Sequence, residues 1–389
     1  MNQKDISEIK RRLNPKYGNP TIIRGCYLTA DGSVISRFAT PIGMLNEDEN
    51  EKYMSLFRKV LSGTQGRNLI AVDFTNDQVK YGDEHRLLST LKDSRLQDEE
   101  AVDTLFNKVI GWIRNESAVQ SQSVEELAEN GNYLVLLLHD GYDVPFRDVN
   151  GEIDRERSTD TFSYILCCVC PVKQSRPFLT YNEAEGDFHS RVADWTVGAP
   201  EMGFMFPAFE ERSTNLSRAM YYSKDAADLH DSFVSDVFGV TDLVPPEDQK
   251  VNFQAVLQES LGDECSMEVV QGLHDTLSGM LAEQKADKYA EPLTLGQNDM
   301  KRVLLDCGVS EQKAEDFGAR FEETFGEKAA VPAVNMVTPK EFKVTTPSVS
   351  IRVNPEFSDL VQTRMIDGKY YIMILADGDV EVNGLRISR

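Results

Sequence analysis

Apolar side chains recur at helical spacing in several parts of the chain. Ile6, Ile9 and Leu13 stand at i, i+3 and i+7, which predicts a short helix with one apolar face. Spacings of i, i+3, i+4 and i+7 predict further amphipathic helices over 53–61 and 102–113. The first part of the chain is therefore predicted to contain three amphipathic helices.

Two apolar runs lack alternation and predict strands that are covered on both faces. Residues 133–139 are Tyr-Leu-Val-Leu-Leu-Leu-His, and residues 162–172 are also mostly apolar. Uninterrupted runs of this length are typical of central strands. We expect the two strands to pair at the centre of a sheet, with a later strand over 204–206.

Changes of period divide the chain into four predicted regions. Strand and helix patterns mix over 1–222, helical spacing dominates 223–328, and prolines with small residues over 329–340 indicate a linker. Alternation and Asp-Gly or Asn-Gly turns over 341–389 predict a small β-rich C-terminal region. The sequence therefore predicts an α+β protein with a mixed or antiparallel central sheet, flanking helices, a helical segment and this C-terminal region.

Charge restricts the partners that the surface can bind. The 389 residues include 64 acidic and 41 basic side chains, a net charge of −23. Such an acidic surface opposes binding to nucleic acid or to an anionic membrane, because phosphate groups need cationic contacts. A protein partner is therefore expected, and no membrane contact.

The first 24 residues depart from this acidity. They contain six basic and two acidic side chains, a local charge of +4. Lys10, Arg11 and Arg12 are expected to project away from the apolar stripe of the first helix. Together with Lys16 they are the candidates for binding an anion or a partner.

Cysteine usage and the amino-terminal sequence predict a reduced, cytoplasmic protein. Six cysteines are present, three of them at Cys167, Cys168 and Cys170, unlike the disulfide framework of a small secreted domain. The first thirteen residues lack the apolar core of a signal peptide, and no apolar run reaches the ~18 residues of a membrane span.

The three clustered cysteines are predicted to pack in the core without metal. Alternation along a strand places Cys168 and Cys170 on one face and Cys167 on the other. This spacing differs from the C-x-x-C of zinc sites, and no second Cys or His cluster completes four ligands. No phosphate loop or dinucleotide fingerprint is present either, so no cofactor is expected.

His139 and Asp140 are the catalytic candidates, because they stand where the first apolar run ends. Catalytic groups often follow strands, and an acid can orient an imidazole. No nucleophile motif accompanies these two residues. The strand before them has no charged side chain, so we expect a buried His139 that ends the strand by hydrogen bonding.

The segment 202–215, Met-Gly-Phe-Met-Phe-Pro-Ala-Phe-Glu-Glu-Arg-Ser-Thr-Asn, is the most conspicuous local pattern. Its polar residues Glu210, Arg212 and Asn215 are candidates for a functional loop. The aromatic residues are expected to anchor the loop to the sheet, and Arg212 is expected to pair with a nearby acid.

Six stretches of the chain have distinctive sequences, namely residues 4–15, 24–27, 139–146, 195–200, 203–215 and 380–384. They resemble an uncharacterised family of proteins, catalogued as a domain of unknown function and found mostly in low-GC Gram-positive bacteria. The resemblance covers nearly the whole chain and implies no activity, so it transfers no functional residue. In order of elements alone, the chain is also similar to bacterial nucleoid-associated proteins of this length.

The absence of a catalytic constellation from a chain of ordinary globular composition predicts a non-catalytic cytoplasmic interaction protein. Two alternatives stay open. One is association with the nucleoid or with nucleic acid through the basic first helix. The other is an enzyme of unrecognised type that uses His139 and Asp140.

Overall fold

A computed structural model describes residues 1–16, 20–120, 131–144, 146–147, 153–154, 161–175, 178–191, 194–210, 213–241, 243–287, 290–327, 329–376, 378, 380–382 and 384–387. The chain forms two compact units, Met1–Pro245 and Pro246–Arg389. Among the described residues, no helix combines the length and apolarity that a membrane span requires.

The first unit surrounds one large sheet with helices. Its helices are α1 (Gln3–Arg12), α2 (Glu47–Val60), α3 (Asn76–Tyr81), α4 (Asp83–Asp93), α5 (Glu99–Gln120) and α6 (Asp231–Phe238). Its strands are β1 (Ile22–Leu28), β2 (Val34–Pro41), β3 (Leu69–Asp73), β4 (Asn132–Asp143), β5 (Phe146–Arg147), β6 (Ile153–Asp154), β7 (Thr161–Gln174), β8 (Phe178–Asn182), β9 (Asp187–Arg191), β10 (Trp195–Val197), β11 (Met202–Phe206), β12 (Ala208–Glu210), β13 (Ser213–Asn215) and β14 (Arg218–Ser223).

The large sheet is antiparallel and has the order β2-β1-β4-β7-β11-β14-β3, with β10 pairing to the end of β7. Strands β4 and β7 lie next to each other and pair from Asn132↔Val172 to Asp143↔Thr161. The α+β class and the sheet with flanking helices are thus confirmed. The two long apolar runs form the centre of the sheet, as their lack of alternation predicts.

Both faces of the sheet are covered. On one face Val135, Leu137 and Cys167 pack with residues of α4, α5 and α6. On the other face Leu136 and Cys168 pack with residues of α1 and α2. Burying a side chain such as Leu or Phe contributes about 1.5–3 kcal/mol, so these two clusters dominate the stability of the unit.

Helix α6 belongs with this sheet. Phe233 and Phe238 are buried in the same cluster as Tyr221 of β14, and the rings of Tyr221 and Phe233 stack with centroids 5.9 Å apart. The predicted boundary at residue 222 precedes this helix, whereas the compact unit continues to Pro245. Periodicity shows that a helix has a buried face, but it does not show which layer covers that face.

The second unit has a helical core followed by hairpins. Its helices are α7 (Pro246–Leu261), α8 (Met267–Ala286), α9 (Gln297–Asp306) and α10 (Glu311–Phe325). Its strands are β15 (Thr294–Gly296), β16 (Ala330–Pro332), β17 (Phe342–Thr345), β18 (Ser350–Val353), β19 (Val361–Ile366), β20 (Lys369–Ile374), β21 (Val380–Val382) and β22 (Leu385–Ile387).

The segment predicted as a linker, 329–340, is part of this helical core. Strand β16 pairs with β15, and Val331, Ala333 and Met336 are buried. Its prolines and small residues permit close packing as readily as they permit a flexible connection, so composition alone was ambiguous.

Candidate functional site

Strand β4 directs His139 and Asp140 to opposite faces of the sheet, because side chains alternate along a strand. Asp140 lies on the face covered by α1, and it is 0% exposed. His139 is 3% exposed and lies between Thr21 and Ser163, with Nδ1 3.3 Å from Thr21 Oγ1 and Nε2 2.9 Å from Ser163 Oγ. The two residues therefore do not form one acid–base pair.

The strand also continues past these residues, contrary to expectation. It extends to Asp143 in register with β7, so His139 does not end it. Burial lowers the pKa of His139 to about 4, because the low-dielectric surroundings disfavour the imidazolium form. A neutral, enclosed imidazole at pH 7 is suited to holding strands together and lacks the substrate access that general acid–base catalysis needs.

Asp140 binds Arg12 of the first helix. Arg12 donates from Nε to Oδ2 and from Nη2 to Oδ1, each over 3.2 Å, and Tyr164 donates its hydroxyl to Oδ2 over 2.9 Å. The guanidinium also lies 4.7 Å from the ring centroid of Tyr142. The expectation that Arg12 projects away from the core was wrong. Arg12 follows Ile9 by three residues and so lies at the edge of the buried stripe.

The other predicted cations have different surroundings. Arg11 and Lys16 are exposed, whereas Lys10 is half-buried. Burial, followed by the nearby charges of Lys59 and Arg58, lowers the pKa of Lys10. Two cations of α2 that the sequence did not indicate thus lie near the end of α1, and one of them, Arg58, is paired with Glu51.

The cations at the ends of α1 and α2 have a structural explanation. Arg58 donates to the carbonyl oxygen of Leu13 over 2.8 Å, just after α1 ends. The last turns of α1 and α2 also contain Lys10 and Lys59, and cations near a helix C-terminus are favoured by the helix dipole.

Glu210 holds the amino terminus against the sheet. Its Oε1 accepts from the amino group of Met1 and from Nη1 of Arg218, each at 2.7 Å, and its Oε2 accepts from Nδ2 of Asn215 at 2.7 Å. Burial raises the pKa of Glu210, but these three hydrogen bonds outweigh it and lower the value to about 2.

Two of the three candidate loop residues therefore have structural roles. Glu210 and Asn215 bind each other at the β12–β13 hairpin, and buried Phe209 anchors that hairpin to the sheet as expected. Arg212 lies outside the described residues, so its expected partner is not seen.

The clustered cysteines lie as alternation predicts. Cys168 and Cys170 share one face with their Sγ atoms 3.9 Å apart, and Cys167 lies in the opposite cluster. All three are 0% exposed, and burial raises the pKa of the Cys168 thiol well above its usual value. Within the described part of the chain, no three His, Cys, Asp or Glu residues form a metal-binding group.

A hairpin that the sequence did not single out presents an uncovered apolar face. Among the strands that the structure describes, β8 and β9 pair with each other alone, and Tyr181 faces Phe188 with ring centroids 5.2 Å apart. Leu179 lies two residues before Tyr181 and so shares its face. These three side chains are 70%, 52% and 62% exposed for Leu179, Tyr181 and Phe188. The sequence indicates this face only through the alternation of apolar and polar residues in Leu-Thr-Tyr and in Phe-His-Ser.

The turn of this hairpin is acidic. Glu183, Glu185 and Asp187 are all exposed, and His189 lies 2.7 Å from Glu185. The hairpin thus combines an apolar face with negative charge at its tip.

Comparison with known proteins supports the family resemblance and adds no residue role. No curated protein matches the chain. A model of a protein family with no known function matches it over nearly its full length. The chain therefore belongs to the family described as a domain of unknown function, DUF4317, whose model matches residues 1–385.

Proposed function

We propose that this protein is a non-catalytic interaction protein that binds a basic partner protein through one face of the β8–β9 hairpin. The observation that carries the proposal is the uncovered apolar face formed by Leu179, Tyr181 and Phe188 beside an acidic turn.

The apolar face has the composition of a binding surface. Aromatic side chains are enriched among the residues that contribute most to protein interfaces. A two-stranded hairpin on its own is marginally stable in water, so covering one face with a partner would stabilise it. Tyr181 and Phe188 already contact each other, which lowers the entropy cost of ordering them at an interface.

Charge favours a basic partner. Glu183, Glu185 and Asp187 lie at the tip of the hairpin, at one end of the apolar face, and the whole chain has a net charge of −23. This field attracts a positively charged protein and repels nucleic acid. Nucleic-acid association through α1 receives less support than the sequence suggested, because Arg12 is bound to Asp140.

The proposed compartment is the cytoplasm. All six cysteines are unpaired, and four of them are buried among apolar side chains, which suits a reducing environment.

The test uses three bait proteins and measures which partners each of them captures from native lysate, with and without nuclease. They are the natural chain, the double variant Tyr181→Ser/Phe188→Ser, and the control Tyr81→Ser on α3, which removes a ring that is 76% exposed. We expect one basic protein to be captured by the natural chain and by the control, and to be lost from the double variant in both nuclease arms. Equal capture by the double variant, or capture only without nuclease, would contradict the proposal.

A further inference from the structure

We propose that a groove in the second unit binds a small amphipathic anion, an apolar molecule that carries one carboxylate or phosphate group. The groove lies between α7, α8 and the β17–β18 hairpin and has a volume of about 520 Å³. This volume lies within the ~300–1,000 Å³ of small-molecule sites.

The floor of the groove is apolar. Phe253, Leu273, Met336 and Phe342 line it, and all four are buried in the core of the second unit. His274 lies beside them and donates from Nε2 to the carbonyl oxygen of Thr338 over 3.2 Å, so its polar edge is already satisfied. The floor is therefore suited to an alkyl chain or an aromatic ring.

The rim of the groove is positively charged. Lys250, Lys343 and Arg352 line it together with a single carboxylate, Glu341. Arg352 Nε lies 3.1 Å from Glu341 Oε1, which leaves the charges of the two lysines uncompensated among the lining residues. A net positive rim is notable in a chain whose total charge is −23.

The register of β17 and β18 concentrates positive charge at the rim. Lys343 pairs directly with Arg352 across the two strands. Like charges at directly opposite positions destabilise a sheet; Glu341 offsets the charge of Arg352, and a bound anion would offset that of Lys343. Lys250 approaches from α7 and donates to Thr338 Oγ1 over 3.0 Å, so a third cation lies near the mouth.

The experiment is calorimetric titration of the full-length chain with decanoate, 2-naphthoate, decanol and inorganic phosphate. The first two combine an apolar body with a carboxylate, decanol lacks the charge and phosphate lacks the apolar body. We expect decanoate or 2-naphthoate to bind at least about ten-fold more tightly than decanol and phosphate. The preference between decanoate and 2-naphthoate distinguishes an aliphatic from an aromatic ligand.

Two variants and one control locate the binding. Lys343→Glu reverses a rim charge and should weaken carboxylate binding by about ten-fold or more, whereas Lys340→Glu, outside the groove, should change it by less than about two-fold. Val270→Trp fills the groove from a side chain that is 41% exposed and should abolish binding, with circular dichroism verifying the fold. Absence of binding by both carboxylates, equal binding of decanol, or equal effects of Lys343→Glu and Lys340→Glu would overturn the proposal.

Discussion

Arg12 and Asp140, which are 128 residues apart, form a two-pronged ion pair that joins the first helix to the central strand β4. The Asp140 side chain is 0% exposed and that of Arg12 is 22% exposed. The pair gives the buried Asp140 carboxylate a counter-charge on the first helix. It also accounts for both residues without a catalytic role.

Replacing Asp140 by Asn should destabilise the first unit by about 3 kcal/mol, because it leaves the guanidinium partly buried without its counter-charge. Urea unfolding followed by tryptophan fluorescence measures this, since Trp112 and Trp195 are the two tryptophans of the chain and both lie in the first unit. The control Lys16→Met removes an exposed cation and should change stability by less than about 0.5 kcal/mol. Equal effects of the two variants would show that the pair adds no stability.

Stability should fall as pH drops from 6.5 towards 4, because of His139. Its folded pKa of about 4 lies below the ordinary 6.5, so the unfolded chain takes up a proton first. The stabilisation is complete above pH 6.5, is lost as pH falls through the folded pKa, and amounts to on the order of 3 kcal/mol. The free energy of unfolding, measured by urea at several pH values between 7 and 5, should therefore change less with pH for His139→Gln than for the natural chain. The control is His189→Gln, because the His189 side chain is 52% exposed. The same pH dependence of stability in all three proteins would contradict the claim that burial lowers the pKa of His139.

Glu210 should control a separate acid transition. Its folded pKa of about 2 lies below the ordinary 4.5, so its contribution is complete above pH 4.5 and is lost as pH falls towards 2. The variant Glu210→Gln should lower stability by about 2 kcal/mol at pH 6 and by much less at pH 3. Urea midpoints at the two pH values provide the test. A deficit of the same size at both would mean that the charge of Glu210 is not what holds Met1 and Arg218.

Thiol labelling should separate the six cysteines into two classes. Cys265 is exposed and Cys307 is partly exposed, whereas Cys26, Cys167, Cys168 and Cys170 are buried. A thiol reagent should therefore modify two residues in the native protein and the remaining four only on unfolding. Rapid native labelling of Cys168 or Cys170 would indicate that the central sheet opens or is packed differently.

The sequence could predict those features that depend on local pattern. Residues 133–139 and 162–172 are apolar without interruption, and this predicts two strands buried on both faces. The faces of Cys167 and Cys168 follow from the alternation of a strand. The same alternation directs His139 and Asp140 to opposite faces of the sheet, so the sequence itself argues against their pairing.

Other features depend on contacts between distant parts of the chain. Helical spacing locates Arg12 at the edge of the first helix, but only the fold brings Asp140 to it. Lys343 and Arg352 lie opposite each other because of the register of β17 and β18. The sequence does not specify that register, because the two strands are not joined by a tight two-residue turn. The covering of α6 by the sheet is likewise set by packing, not by its own sequence.

The most direct test of the proposed interaction is a calorimetric titration of the purified basic partner into three proteins: the natural chain, Tyr181→Ser/Phe188→Ser and Tyr81→Ser. The account predicts affinity at least about ten-fold weaker for the double variant and unchanged for Tyr81→Ser, because only the former removes the apolar face of the β8–β9 hairpin. Binding by the natural chain should also weaken as salt rises, since the acidic turn contributes to it. Equal affinity for all three proteins would contradict a role for this hairpin.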